Sequence, residues 1–173
     1  LKDVVKLASN ESPFSPSPKV LETITRAARD LNRYPDGGCY HLRRALSSRL
    51  GVSGNQIIFG NGSDEIIVMA VRAFVEPVDG PGASPSGSKV QYFSPSYSLY
   101  PVLAETHGAT TNAVPLKADF GLPSVVELKR GKQWDFRAAL TFVTTPNAPS
   151  GRGFSTAELD ALCATMKGVV VLD

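Results

Sequence analysis

The sequence predicts an α/β fold in which a mostly parallel sheet is covered by helices on both faces. Two observations carry that expectation. Short, continuously apolar strand candidates alternate along the chain with segments of helical periodicity. Strands with no polar face read as buried on both sides, as they are in parallel sheets. At 173 residues the chain is also long enough to bury a real core.

The elements follow in order. Residues 4–8 read as an extended start, followed by a loop rich in Ser and Pro. Ser17-Pro18 has the chemistry of an N-cap and first turn, and Val20, Ile24, Ala27 and Leu31 recur at helical spacing. A second helix is expected from about Tyr40, burying Leu42, Ala45, Leu46 and Leu50, with Gly51 as its stop. Residues 56–59 make a short strand candidate, and a Gly-Asn-Gly turn leads into a helix from Ser63 that is apolar almost all round. Such a helix is expected to be buried, with its N-terminus near the interior. Residues 80–88 hold only Gly, Pro, Ala and Ser, so a flexible surface loop is expected. Residues 90–93, 113–116, 140–144 and 169–172 are further strand candidates. The basic stretch 128–132 reads as a solvated turn. Ser155 and Glu158 form a capping box, with Leu159, Leu162 and Met166 on one face of the following helix and Gly168 as its end. A chain that stops at the tip of a buried strand reads as interrupted.

Composition excludes several classes. A net charge of +2 with no extended Lys/Arg block argues against nucleic acid or a membrane surface as partner. No apolar run nears the roughly 20 residues of a membrane span. Cys39 and Cys163 lack CxxC spacing and no His/Cys/Asp cluster has ligand spacing, so no metal is expected and the thiols point to a reducing, cytoplasmic setting. The chain does not begin with Met, which leaves a removed organelle-targeting segment open.

Four motifs carry chemistry. Gly60-Asn61-Gly62-Ser63-Asp64-Glu65 joins a strand candidate to a helix. It fits an anion site at a helix N-terminus, or simply a tight turn capped by Ser63 or Asp64. It lacks the Lys-Ser/Thr of a nucleotide P-loop and the GxGxxG of a dinucleotide fold. Tyr97, between a strand end and a helix start, could lay its ring on a flat ligand or be a core tyrosine with a satisfied hydroxyl. Asn147, in a loop fixed by Pro146 and Pro149, could present its amide to a ligand oxygen or serve a rigid turn. Asp173 ends an apolar strand, where ligands of α/β sheets bind, and could pair with a ring nitrogen or cap the next turn.

In this order the motifs resemble the PLP-dependent fold-type I aminotransferases (class I/II), and within them the histidinol-phosphate aminotransferase branch. The resemblance spans LASNESPFSPSP at 7–18, LNRYPDGGCYHLRRAL at 31–46, FGNGSDEIIVMAVRAFVEP at 59–77, SPSYSLYPVLAETHGA at 94–109, VPLKADFGLP at 114–123, TPNAPSG at 145–151 and VVVLD at 169–173. It implies an N-terminal arm and first helix over 1–35 and part of a large pyridoxal 5'-phosphate-binding domain over 36–173. It implies an enzyme of histidine biosynthesis that moves an amino group between histidinol phosphate and 2-oxoglutarate. Threonine-phosphate decarboxylase, an aromatic aminotransferase and a non-catalytic fragment are the alternatives. By resemblance, Ser63 and Asp64 hold the cofactor phosphate, Tyr97 stacks on the ring, Asn147 bonds the ring 3-oxygen and Asp173 pairs with the ring nitrogen. Tyr34 reaches the cofactor phosphate of the other subunit in a homodimer, and Asn10 lies near the substrate. Three departures stand out. Ala148 occupies the place of the usual cofactor-contacting Asn, residues 80–88 lengthen a compact turn, and no lysine stands in the family's Schiff-base Ser-Lys context, so the catalytic lysine is expected beyond residue 173.

Overall fold

The computed structural model describes residue 5 and residues 9–173. The extended start expected over 4–8 lies outside these residues except for Val5. The chain gathers into two compact units, Leu1–Ile58 and Phe59–Asp173.

In the first unit, helix α1 (Pro18–Ala27) starts where the Ser17 hydroxyl accepts from the Val20 amide, and it runs on into a 3₁₀ turn at Ala28–Asp30. Helix α2 (Tyr40–Leu50) has the expected bounds. Its entry is held by the Asp36 carboxylate, which accepts from the amides of Gly38 at 2.9 Å and Tyr40 at 2.7 Å. Those two bonds hold the Asp36 carboxyl below its ordinary value. Its exit is Gly51 at φ 68°, a left-handed conformation that favours glycine. Arg43 then donates to the carbonyls of Gly38, Gly54 and Ile57, tying the following segment to the helix. The expected burial of Leu42 and Leu50 does not occur. Both are exposed, and no described residue up to Ile58 is buried, because this unit places no core beneath its apolar stripes. Ile57 is extended (φ −116°, ψ 127°), yet 56–59 belongs to none of the four strands of the sheet.

The second unit contains that sheet. Strands β1 (Lys89–Ser94), β2 (Thr110–Pro115), β3 (Leu140–Val143) and β4 (Val169–Leu172) are all parallel, in the order β2-β1-β3-β4. Helices cover both faces. Val90, Tyr92, Leu140 and Phe142 pack with Ile67 and Val71 of α3 (Gly62–Phe74) and with Tyr100 and Ala104 of α4 (Leu99–Thr106). On the other face, Phe93, Val114 and Val143 pack with Trp134, with Leu128 of α5 (Val125–Gly131) and with Leu162 of α6 (Thr156–Cys163). The chain steps from β1 out to β2, then returns to the opposite side of β1 as β3. The strand order therefore reverses between β1 and β3, and in such sheets the crevice beyond the carboxyl ends at the reversal is where ligands sit.

Four elements depart from expectation, the first being α6, which closes at Cys163, short of Met166 and of the expected end at Gly168. Helix α3 buries one stripe through Ile67 and Val71, while Met69 and Phe74 are exposed and its first residues, 61–65, lie at the surface. Residues 128–132 are mostly the last turn of α5, started by a capping box in which Ser124 and Glu127 exchange bonds, with Leu128 buried. The Ser124 hydroxyl and amide, helped by Lys117 at 3.1 Å, hold the Glu127 carboxyl at about 2. The loop 80–88 is pinned at its end. The Ala139 amide bonds the Ser86 carbonyl, the Ser86 hydroxyl donates to Asp135 at 2.9 Å, and Ser88 is buried.

Asp135 anchors a polar lock at the amino end of the sheet. Lys89 reaches it at 2.6 Å. The fully buried Gln91 donates to the Asp135 carbonyl and accepts from the Asp135 amide and from Asn112. Burial pushes the Asp135 carboxyl up, but Lys89, the Arg137 amide and the Ser86 hydroxyl together hold it below the ordinary carboxylate value. A depressed folded pKa means that the stabilisation is present above the unfolded value and lost as pH falls through the folded one. Asp135→Asn is therefore expected to cost about 1–2 kcal/mol at pH 7, with the gap to the native chain closing below about pH 4. Urea unfolding of both chains at pH 7 and pH 3 measures it.

Candidate functional site

The carboxyl ends of β1, β3 and β4 gather the motifs. Beyond β1, Ser96 and Tyr97 precede α4. Beyond β3, Thr144 opens the proline-fixed loop. Asp173 follows β4 directly, and its backbone stays in the ladder: its amide bonds the Val143 carbonyl at 3.0 Å and its carbonyl accepts the Thr145 amide at 2.8 Å.

Hydrogen bonds join these loops to the start of α3. The Tyr97 hydroxyl donates to Asp64 Oδ1 at 2.9 Å. The Tyr100 hydroxyl donates to Asp173 Oδ2 at 2.5 Å and contacts Thr144 Oγ1 at 2.7 Å, and Thr144 Oγ1 meets Ser96 Oγ at 2.9 Å. The rings are held as firmly. Tyr100, fully buried, stacks on Phe142 with centroids 4.4 Å apart and planes 4° from parallel. The Tyr97 ring stands edge-on to it at 5.7 Å and 86°. Burial, reinforced by the bond to Asp173, pushes the Tyr100 phenol far above its ordinary value. The bond to Asp64 chiefly, with a smaller contribution from burial, raises that of Tyr97.

At the start of α3 the backbone turns through Gly62 at φ 79°, and Asn61 supplies no side-chain cap to the first turn. A helix leaves its first N–H groups without intrahelical partners, and its dipole favours an anion there. The two carboxylates of this turn point elsewhere. Asp64 takes the Tyr97 hydroxyl, and Glu65 folds back to accept the Asn61 amide at 2.6 Å. Ser63 is exposed. The cluster thus presents an anion-accepting helix start, an aromatic ring of fixed pose and a carboxylate anchored by one oxygen.

Of the residues singled out in the sequence, Asp64, Tyr97 and Asp173 join this cluster, and Ser63 adjoins it. Asn147 is buried in the neighbouring loop. Its Nδ2 donates to the Pro95 carbonyl at 3.0 Å and its Oδ1 accepts from the Ser150 hydroxyl at 2.7 Å, which stitches the loop after β3 to the loop after β1. Tyr34 and Asn10 belong to the first unit, where both are exposed, Tyr34 completely. Sequence reasoning assigned nothing to Tyr100, Thr144 and Ser96. The available signals were a second tyrosine, Tyr100, three residues after Tyr97 at the start of α4, and a hydroxyl just past the end of β3.

The sequence pattern of the family described as aminotransferase class I and II matches residues 2–173. Histidinol-phosphate aminotransferase of Synechocystis sp. is 34% identical over 171 residues, covering 99% of this chain and 44% of that protein. The histidinol-phosphate aminotransferase of Thermobifida fusca is 36% identical over 173 residues, covering 96% of this chain and again 44% of the relative. The crystal structure of histidinol-phosphate aminotransferase from Sinorhizobium meliloti in complex with pyridoxal-5'-phosphate superposes with a TM-score of 0.78 at 28% identity, over 95% of this chain and 42% of that one. The chain spans less than half the length of the curated relatives it matches.

A side chain at Gly62 would meet nothing within 4 Å, so the backbone angle alone sets the cost of substitution there. Gly62→Ala is expected to lose about 1 kcal/mol of stability in urea unfolding. At Gly60 a Cβ would also press on Ile66 Cδ1 at 2.9 Å, so the double variant should lose more than Gly62→Ala alone.

Proposed function

The chain belongs to the aminotransferase class I and II family, and on that premise we propose that its strand-end cluster is the cofactor side of a pyridoxal 5'-phosphate site in a histidinol-phosphate aminotransferase. The observation that carries this reading is the continuous set of contacts from Asp64 through Tyr97 and Tyr100 to Asp173. A phosphate, a flat ring and a ring nitrogen call for three different groups at one place, and the cluster offers one of each.

The donor set fits the cofactor. The amides of Ser63 and Asp64, with the Ser63 hydroxyl, would take the phosphate, favoured by the helix dipole. Tyr97 would carry the ring, its own pose fixed by Asp64 and by its perpendicular contact with Tyr100. Asp173 would accept the N–H of the pyridine nitrogen and keep a proton on that atom. Asn147, with both amide ends engaged in its loop, would reach the ring oxygen only through its remaining Nδ2 hydrogen, in the place Ala148 leaves without a polar group. When bound, pyridoxal phosphate supplies a protonated ring that withdraws electrons from the amino substrate. No lysine among the described residues joins the cluster, so these residues would hold and polarise the cofactor and would not attach it covalently.

Histidinol phosphate as amino donor, 2-oxoglutarate as acceptor and a place in histidine biosynthesis are the substrates and pathway we propose, supported by the names of the relatives. Asn10 would lie toward the substrate. We further propose a twofold dimer in which the exposed hydroxyl of Tyr34 completes the cofactor site of the other copy.

Ser63→Ala is expected to weaken binding of pyridoxal phosphate roughly tenfold and leave pyridoxal, which lacks the phosphate, unchanged in equilibrium dialysis. Equal losses for the two would remove the phosphate site from this helix start. In a dimer confirmed by sedimentation, Tyr34→Phe should likewise weaken cofactor retention by about tenfold with the circular dichroism unchanged; unaltered affinity there would rule out the shared site.

A further inference from the structure

We infer that Tyr100 is the positioning residue for Asp173, the last donor in a one-way hydrogen-bond chain that runs Ser96 to Thr144 to Tyr100 to Asp173. The inference rests on Asp173 being the partner of a ring nitrogen, and it adds what keeps that carboxylate ready.

The direction of every bond follows from charge. An ionised carboxylate only accepts, and a phenol has one proton. At 2.5 Å that proton belongs to the bond with Asp173 Oδ2. At its 2.7 Å contact with Thr144 Oγ1, Tyr100 must therefore accept, so Thr144 donates. The single hydroxyl proton of Thr144 is then spent, and at 2.9 Å Ser96 has to donate to it. Three hydroxyl dipoles align toward one carboxylate oxygen, and aligned bonds in a poorly hydrated setting strengthen one another.

The chain is rigid at each link. Tyr100 has no exposed surface and is stacked on Phe142 of β3. Thr144 directly follows β3, and the Asp173 backbone is held between Val143 and Thr145. With Oδ2 engaged, Asp173 Oδ1 bonds no other described residue and has its direction set by the occupied oxygen. A phenylalanine would fill the same space and make the same stack, so packing does not require the hydroxyl. Its described partners are the carboxylate and the threonine that feeds it.

The test compares the full-length protein with its Tyr100→Phe and Thr144→Val variants, each titrated with pyridoxal phosphate and with its analogue in which carbon replaces the ring nitrogen. The native chain should prefer pyridoxal phosphate. Tyr100→Phe should lose about tenfold in affinity for pyridoxal phosphate while keeping its affinity for the analogue, and Thr144→Val should show a smaller loss of the same selective kind. Equal losses for both ligands would make Tyr100 a packing residue and overturn the inference. So would a native preference that survives intact in Tyr100→Phe, an outcome that leaves the cofactor reading standing. Equal affinities in the native chain would instead remove the pairing of Asp173 with the ring nitrogen. A ligand-free measurement then decides the bond itself. Because burial first, and then the bond to Asp173, raise the Tyr100 phenol, Asp173→Asn should remove the second cause and lower the pH at which Tyr100 ionises, read as the tyrosinate absorbance that Tyr100→Phe lacks. No change would mean that the bond is absent in solution.

Discussion

The β1–β3 ladder, buried on both faces, holds side by side two loops that are about 50 residues apart in sequence. Its register pairs Val90 with Leu140 and Tyr92 with Phe142, so the strands end within one residue of each other, at Ser94 and Val143. Ser96 and Thr144, the next side chains able to bond, then face each other across the reversal in strand order. Break that pairing and neither loop has a reason to be near the other. Asp173 depends on it at one remove, since β4 is aligned by β3.

Onto this frame the aromatic groups convert packing into orientation. Phe142 belongs to the apolar face of β3, and Tyr100 lies flat against it from α4. Burial of a ring that size dominates the energetics, and ring-on-ring geometry adds about 0.5–1.5 kcal/mol. The same stack aims a hydroxyl at Asp173. On the opposite face Phe93 and Trp134 stack at 4.3 Å and 13°, with the Trp134 indole N–H directed at Met166, and there the arrangement serves only to close the core.

Much of the frame could be read in the sequence where the local signal is one-dimensional. Strand β4 and helix α2 have the anticipated limits because a run of Val with Leu, and a stop at Gly51, need no partner to be recognised. What depends on a partner was illegible. The segment 56–59 is apolar enough for a strand but lies in no ladder, Leu42 and Leu50 are periodic but exposed, and α3 buries only the stripe that meets the sheet. Helix α5 is masked in the sequence by its charges, although Ser124 and Glu127 spell the same capping box that marks the start of α6. In the site, the individual residues Asp64, Tyr97 and Asp173 stood out, but their connections did not. Tyr100 is 73 residues from Asp173 and 44 from Thr144, and no local rule links positions so far apart.

The polar lock around Gln91 has a consequence for how the sheet finds its alignment. Both faces of β1 and β3 are apolar in the main, so a slip of two residues would still bury Val, Phe and Leu against one another. Hydrophobicity is nearly blind to such an error. The buried amide of Gln91 is not, because its bonds to Asn112 of β2, to Thr141 of β3 and to the Asp135 backbone form together in a single alignment. Any other would strand polar atoms in a dry interior, at about 1–3 kcal/mol each. One glutamine thus acts as the key that selects the register, and the loops at the far end of the sheet inherit their alignment from it.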